Sequence, residues 1–196
     1  PIHDLEFEGY ITLNGQYCYN RDGIIYDLPI HSHDIHNILK LIDKHPFPCI
    51  FVEKELMYIN YHNDAVQIVQ DAISTPLPDI QDINRAYSHP IYQVIPYDIT
   101  SQKENIILDI MPHCQKTRWH ELAIDIIPKT GGKQNGIREV LKHYDIQPEE
   151  TMAFGDGHND IDMFEFVGLS IAMGNATQEL KEVASDVTDD IDHDGI

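Results

Sequence analysis

Thr151-Met152-Ala153-Phe154-Gly155-Asp156-Gly157-His158-Asn159-Asp160-Ile161-Asp162-Met163-Phe164 is the stretch from which the rest of the chain can be read. Its apolar run, Met152-Ala153-Phe154, has the length and content of a buried parallel strand. The run passes through two glycines and two aspartates into Ile161, Met163, Phe164 and Val167, a spacing that suits a helix packed on a sheet. A strand-turn-helix of this kind puts Asp156 and Asp160 in the crevice at the carboxyl end of a strand, where open α/β sheets place ligands. Gly155 and Gly157 let the backbone turn tightly and leave the carboxylates accessible. Two hard oxygen donors on a short loop suit a magnesium ion, with a substrate phosphate supplying further oxygens. The plainer reading is an ordinary connection in which Asn159 or Asp160 caps the helix.

On either side the pattern is β/α alternation. Residues 133–144 read as a helix with Ile137, Val140 and Leu141 inward, 169–172 as a short strand, 177–184 as a helix and 186–188 as a last strand. That is the doubly wound α/β class. Lys133 follows Gly131-Gly132 at a helix start, where backbone N–H groups favour anions and the ammonium adds a full positive charge. A lysine opposes the macrodipole there, so its placement asks for a reason; a lone Gly-Gly-Lys is otherwise a surface lysine.

The Pro- and Gly-rich segment 128–132 reads as a linker. Before it, strands mix with helices. Residues 5–13 read as a strand ending at Asn14-Gly15, a strong turn dipeptide. A hairpin surrounds Asn20-Arg21-Asp22-Gly23. Ser32 is a plausible cap for a helix burying Ile35, Ile38, Leu39 and Ile42, a second hairpin joins 49–53 to 56–59, and Asn63 opens a second helix. Residues 91–99 read as a strand weakened by Pro96, 101–111 as a helix, and 113–119 and 121–127 as strands. The expected division is 1–15 as a core segment, 16–127 as an α+β sheet domain and 128–196 as the second half of the core.

His31, His33 and His36 are close enough to suggest a metal site. No Cys and no second His pair supplies a matching half-site, so they read as solvated residues at a helix start. Asp109, Asp125 and Asp162 read as solvated or capping groups, and Trp119, Met163 and Phe164 as packing residues.

The formal net charge is −20, from 33 acidic and 13 basic residues. Such a field repels nucleic acid and anionic membranes. It also repels a phosphorylated substrate, so a phosphate site here needs local neutralisation by a metal and a lysine. Three scattered cysteines without Cys-x-x-Cys spacing read as free thiols in a reducing cytoplasm. The opening Pro1-Ile2-His3-Asp4 does not read as a signal peptide, and no apolar run approaches the ~20 residues of a membrane span. Oligomeric state leaves no sequence signal.

Gly132-Lys133-Gln134-Asn135-Gly136, the run from Phe154 through Met163, and Ile171-Ala172-Met173-Gly174-Asn175-Ala176 together resemble the haloacid dehalogenase superfamily, and within it the Cof-type phosphatases. Ile11-Thr12-Leu13-Asn14-Gly15 resembles the segment by which that family leaves its core for the cap. Arg118-Trp119, Ile124-Asp125-Ile126 and Asp194-Gly195-Ile196 fit as well. The resemblance implies a Rossmann-like parallel-sheet core, incomplete here, with a large inserted α+β cap domain. It implies hydrolysis of small phosphorylated metabolites through an aspartyl-phosphate, with Mg2+. On this resemblance Lys133 neutralises the phosphoryl group and the nucleophile, Asp156 binds the metal, Asn159 contacts the phosphate, and Asp160 orients metal-bound water or Lys133. Relatives handle sugar phosphates, pyridoxal phosphate and flavin precursors. Phosphoryl transfer depends mainly on positioning and charge neutralisation, so these residue types suit it.

The family's nucleophile lies in an Asp-x-Asp-Gly-Thr segment after the first core strand. No such segment precedes Asn14-Gly15 here. Asp192-His193-Asp194-Gly195-Ile196 is only superficially similar, because Thr188-Asp189-Asp190-Ile191 stands where an apolar strand belongs. The chain is therefore expected to be truncated at both ends, its core to have unpaired edges and open apolar faces, and its 196 residues alone to lack phosphatase activity. The alternatives are a binding protein that keeps the fold, or a phosphomutase of the same superfamily. Arg85, Tyr87, Arg118 and Trp119 are candidate substrate contacts in the cap, although each also reads as an ordinary surface or packing residue.

Overall fold

Residues 7–196 are described by a computed structural model, and its first strand, β1 (Tyr10–Thr12), is shorter than the alternation suggests. Leu5 and Glu6 of the expected strand lie outside the described residues. Left-handed φ values of 53°, 56° and 82° at Leu13, Asn14 and Gly15 end β1 and turn the chain into β2 (Tyr17–Asn20). Strand β2 pairs antiparallel with β1 and with β3 (Gly23–Asp27). Asn20 Oδ1 accepts the N–H groups of Asp22 (2.9 Å) and Gly23 (3.0 Å), so one side chain shapes this hairpin turn. The chain falls into two units, Pro1–Asp27 with Gly131–Ile196, and Leu28–Thr130. The β2–β3 hairpin groups with the first unit, later than the expected boundary at residue 16. Its pairing with β1 and the bond from Asn20 Nδ2 to Tyr144 Oη (2.9 Å) keep it there.

The second unit begins with α1 (Ser32–Lys44), which buries the expected face of Ile35, Ile38, Leu39 and Ile42. Its cap is His31 and not Ser32: His31 Nδ1 accepts the His33 N–H at 3.2 Å. Strands β4 (Cys49–Val52) and β5 (Met57–Ile59) form the expected hairpin, and α2 (Asp64–Ala72) is capped by Asn63, whose Oδ1 accepts the Val66 N–H at 3.1 Å. Then come β6 (Asp79–Ile80), β7 (Gln93–Pro96), α3 (Ser101–Ile110), β8 (Cys114–His120) and β9 (Ala123–Pro128). The sheet order is β6-β5-β4-β7-β9-β8, antiparallel except between β5 and β6. Strands β4, β7 and β9 are buried at every residue. Phe51, Tyr58, Val94 and Ile126 pack in one core with Ile38 of α1 and Ile107 of α3. Removal of this apolar area from water is what holds the unit together. Buried Glu104 of α3 pairs with both Lys116 and Arg118 of β8.

The first unit resumes with α4 (Lys133–Tyr144), β10 (Met152–Gly155), α5 (Ile161–Phe164), β11 (Leu169–Ala172), α6 (Gln178–Val183) and β12 (Asp186–Val187). Strands β10, β11 and β12 are parallel neighbours, the β/α alternation of a Rossmann-like core. Phe164, Ala172, Met173 and Leu180 form its core. Strand β10 is parallel as expected but not buried. It lies at the edge of its sheet among the described residues, and Met152 and Phe154 are 57% and 40% exposed. No helix among the described residues is long and apolar enough to cross a membrane.

Candidate active site

The site forms within the first unit, around the start of α4. A Cβ at Gly15 would lie 2.4 Å from Gly132 O, and a Cβ at Gly136 would lie 2.5 Å from Gly15 O. Only bare backbone fits at that separation, so the Asn14-Gly15 turn is the seat of the first turn of α4. Sequence reading assigned no role to Gly136. The available signal was a glycine inside a helix, which costs about 1 kcal/mol relative to alanine and so asks for a packing reason.

Lys133, thus placed, forms an ion pair with Asp160 Oδ1. The other oxygen, Oδ2, accepts the backbone N–H groups of Asp156 and Gly157, each at 3.1 Å. One buried carboxylate therefore ties the lysine to the loop that carries Asp156. Both of its oxygens are engaged by donors of the chain, and Asp160 makes no side-chain cap bond to α5. Asp162, two residues on, also reaches α4: its Oδ2 accepts the Gln134 N–H at 3.3 Å. That amide is then taken by a carboxylate of the chain, which makes Asp162 a capping group for a helix 28 residues away.

Asp156 differs. Its side chain is exposed at the carboxyl end of β10, with no side-chain bond among the described residues, while its carbonyl accepts the Thr177 N–H at 3.1 Å. Asn159 is half-buried, and its Oδ1 occupies the space a Cβ on Gly157 would need (2.7 Å). His158 is exposed. A groove of about 280 Å3 is lined by Asn14, Gly15, Lys133, Phe154 and Asp160. The structure thus brings Lys133, Asp156, Asn159 and Asp160 into one loop-and-helix junction. Of these, Asp156 alone keeps an uncommitted carboxylate. A single hard oxygen donor fits a magnesium ion that takes the rest of its shell from water and phosphate, and fits poorly a cation needing an all-protein cage.

The other candidates are engaged elsewhere, in the unit of residues 28–130. Arg85 clamps Glu53 through Nε (2.6 Å) and Nη2 (2.9 Å). Arg118 bonds Glu104 and the carbonyls of His120 (3.0 Å) and Glu121 (2.8 Å). Trp119 Nε1 donates to Asp125 at 2.7 Å, which makes Asp125 a buried acceptor and not a solvated group. Tyr87 packs its ring 4.9 Å from that of His36. Asp109 is exposed. Near residue 190, Asp190 Oδ1 accepts from His193 Nδ1 (2.6 Å) in a 3-10 turn, and residues 188–190 between β12 and that turn are not strand. The cysteines are all free and buried.

A family model described as haloacid dehalogenase-like hydrolase matches residues 1–196. YkrA of Bacillus subtilis (strain 168), named as a candidate phosphatase, is 32% identical over 197 residues, covering all of this chain and 75% of its own. Among solved structures, the subclass IIB sugar phosphatase BT4131 of that superfamily is 35% identical, with a TM-score of 0.82 over 97% of this chain and 73% of its own. BT1666 from Bacteroides thetaiotaomicron, described among phosphatases of the same superfamily, is 29% identical with a TM-score of 0.86 over 99% and 73%. The chain spans about three quarters of the length of each of these relatives.

Proposed function

The chain belongs to the haloacid dehalogenase-like hydrolase family, and from that premise we propose that it carries the phosphate-binding half of a magnesium-dependent phosphatase site for small phosphorylated metabolites. The observation behind this reading is the Asp160 carboxylate, which joins Lys133 to the Asp156 loop. Against a formal charge of −20, a phosphate needs such a local cation. Lys133 supplies the charge, Asp160 holds it in position, Asn159 contacts the phosphate, and Asp156 would hold Mg2+. That ion, when bound, neutralises charge on the phosphoryl oxygens. Sugar phosphates are the favoured substrates, since BT4131 is described as a sugar phosphatase. The inserted unit of residues 28–130 is assigned to substrate choice, as a cap domain. Buried free thiols support a reducing, cytoplasmic setting.

An aspartyl-phosphate also needs a carboxylate nucleophile in line. Around Lys133, Asp160 and Asp162 are both committed to other bonds, and Asp156 is the metal donor. Asp160 is the one described carboxylate that lines the groove. We therefore assign the described residues, 7–196, phosphate binding without turnover. Isothermal titration of the purified chain with inorganic phosphate should show binding that requires Mg2+ and is lost in Lys133→Ala and in Asp156→Ala, and a panel of sugar phosphates should release no phosphate. Binding that survives both substitutions overturns the site. Phosphate release that either substitution abolishes overturns the lack of turnover and leaves the site standing.

A further inference from the structure

The unit of residues 28–130 holds a second cluster of ligating side chains. His31 caps α1, Asp34 lies in its first turn, and His113 comes from the loop entering β8. One ligating atom from each lies within 4.8 Å of the others. We propose that His31, Asp34 and His113 form a binding site for a divalent transition-metal ion of the zinc class, with two imidazole nitrogens and one carboxylate oxygen as ligands and a fourth position open to water. Sequence spacing left the histidines at the start of α1 without a half-site; His113, 79 residues beyond Asp34, supplies it.

The carboxylate is already aimed. Asp34 has a fully buried side chain. Its Oδ2 accepts the His113 N–H at 3.0 Å and lies 3.5 Å from Cys114 Sγ, which fixes the plane of the group. Its Oδ1 faces His113 Nδ1 at 3.1 Å. Outer hydrogen bonds that hold one oxygen while the other faces imidazole are what orients a carboxylate ligand. With metal–ligand bonds of about 2.0–2.1 Å, a tetrahedral site has ligand–ligand edges of about 3.3 Å. The Asp34–His113 edge therefore already has that length, and only His31 must move inward. Its ring lies stacked on that of His113, with centroids 4.8 Å apart and planes at 29°. The stacking brings the two imidazoles side by side above the same carboxylate. His33 Nδ1, 3.5 Å from Asp34 Oδ1, also lies 3.4 Å from Asn37 Nδ2 and is left outside the set.

Imidazole ligands select zinc-class ions over Mg2+, which distinguishes this site from Asp156. Binding has a structural consequence at His31. Its Nδ1 accepts the His33 N–H. A metal on Nδ1 takes that lone pair, and a metal on Nε2 puts the proton on Nδ1. Either way the cap is exchanged for a metal link between the start of α1 and the chain entering β8.

The test uses the full chain, stripped with chelator, in an Asp156→Asn background that removes the other cation position. Calorimetric titration with Zn2+ should give one ion per chain with a Kd below about 10 μM. Co2+ should give the intense visible absorption of a tetrahedral site, and Zn2+ should raise Tm. His31→Asn keeps a good helix cap and removes the imidazole. It and His113→Gln should each weaken Zn2+ by about a hundredfold and abolish the Tm shift. No binding at 100 μM Zn2+ (roughly ten times that Kd), only the weak octahedral Co2+ spectrum of an adventitious ion, or binding untouched by both substitutions overturns the proposal. Circular dichroism checks folding of each variant, and because the two ligands lie on separate segments, either variant alone decides.

Discussion

Gly155→Ala tests the loop geometry through the sign of its effect. Gly155 has no left-handed φ, so alanine is allowed by its backbone, and at a permissive position the substitution stabilises a protein by about 0.4–1 kcal/mol through the unfolded chain. The structure predicts the opposite. The new Cβ would sit 2.8 Å from both Cγ and Oδ2 of Asp160, and 2.9 Å from its Cβ. Asp160 is short and cannot swing aside without giving up the N–H groups of Asp156 and Gly157. Each bond to an ionised acceptor contributes about 1.5–3 kcal/mol. Lys133, 30% exposed, can resolvate, so its ion pair adds little. Allowing for backbone relaxation and the unfolded-state gain, the net loss is about 2–4 kcal/mol. Native-state hydrogen exchange reads it directly: protection of the Asp156 and Gly157 amides should fall roughly 30- to 1000-fold. A Gly155→Ala chain as stable as the parent or more so, with both amides as protected as before, refutes the reasoning.

Three further outcomes concern the interior. Burial works against the ionised form of Glu104, but the Lys116 hydrogen bond and the Arg118 charge outweigh it and hold its carboxyl below the ordinary carboxylate value. A depressed folded pKa adds stability above the unfolded pKa of about 4.5 that is lost as pH falls through the folded value, so the unit of residues 28–130 should weaken in acid below that point. Glu104→Gln should flatten this part of the profile and cost about 1–3 kcal/mol at neutral pH, read by fluorescence of Trp119, the single tryptophan. Burial pushes the Cys18 thiol up to about 11, aided by the Glu139 charge, and raises Cys49 and Cys114 as well. At about pH 8 an aromatic disulfide reagent should therefore find no fast-reacting thiol in the native chain and all three in urea. Ile38→Ala, at a fully buried position of α1, should lower stability by about 2–5 kcal/mol, seen as a lower urea midpoint at unchanged slope.

What could be read from sequence were the features that local chemistry dictates. The face of α1, the cap at Asn63, the hairpin of β4 and β5 and the β/α alternation after Gly131 each follow from residues within a few positions of one another. The failures share the opposite property. Met152-Ala153-Phe154 has the composition of a buried strand, but composition does not count a strand's neighbours. With β11 on one side only among the described residues, alternate side chains of β10 stay open. Ser32 lost the cap to His31 because an imidazole nitrogen one residue earlier can accept the same class of N–H bond. Asp125 and Trp119 each looked ordinary alone. The buried acceptor exists only because adjacent strands β8 and β9 bring them together.

Asp156 and Asp160 show why residue type and spacing fall short of assigning roles. As two carboxylates four positions apart on one loop they look interchangeable, and as a pair they look like a chelate. The backbone separates them. Without a Cβ at Gly155, Asp160 can fold back beneath the loop, where two amides and the Lys133 ammonium meet it. Were Asp160 to turn outward as a ligand, those three donors would lose their acceptor. Removing one partner of such a buried pair costs about 3–5 kcal/mol, less here because Lys133 is partly exposed. One hard-ion contact from a carboxylate that must first leave that setting is a poor exchange when water or a phosphate oxygen can fill the same position. The loop is therefore built for division of labour: Asp160 fixes the charge of the protein, and Asp156 is left to face the charge of whatever binds.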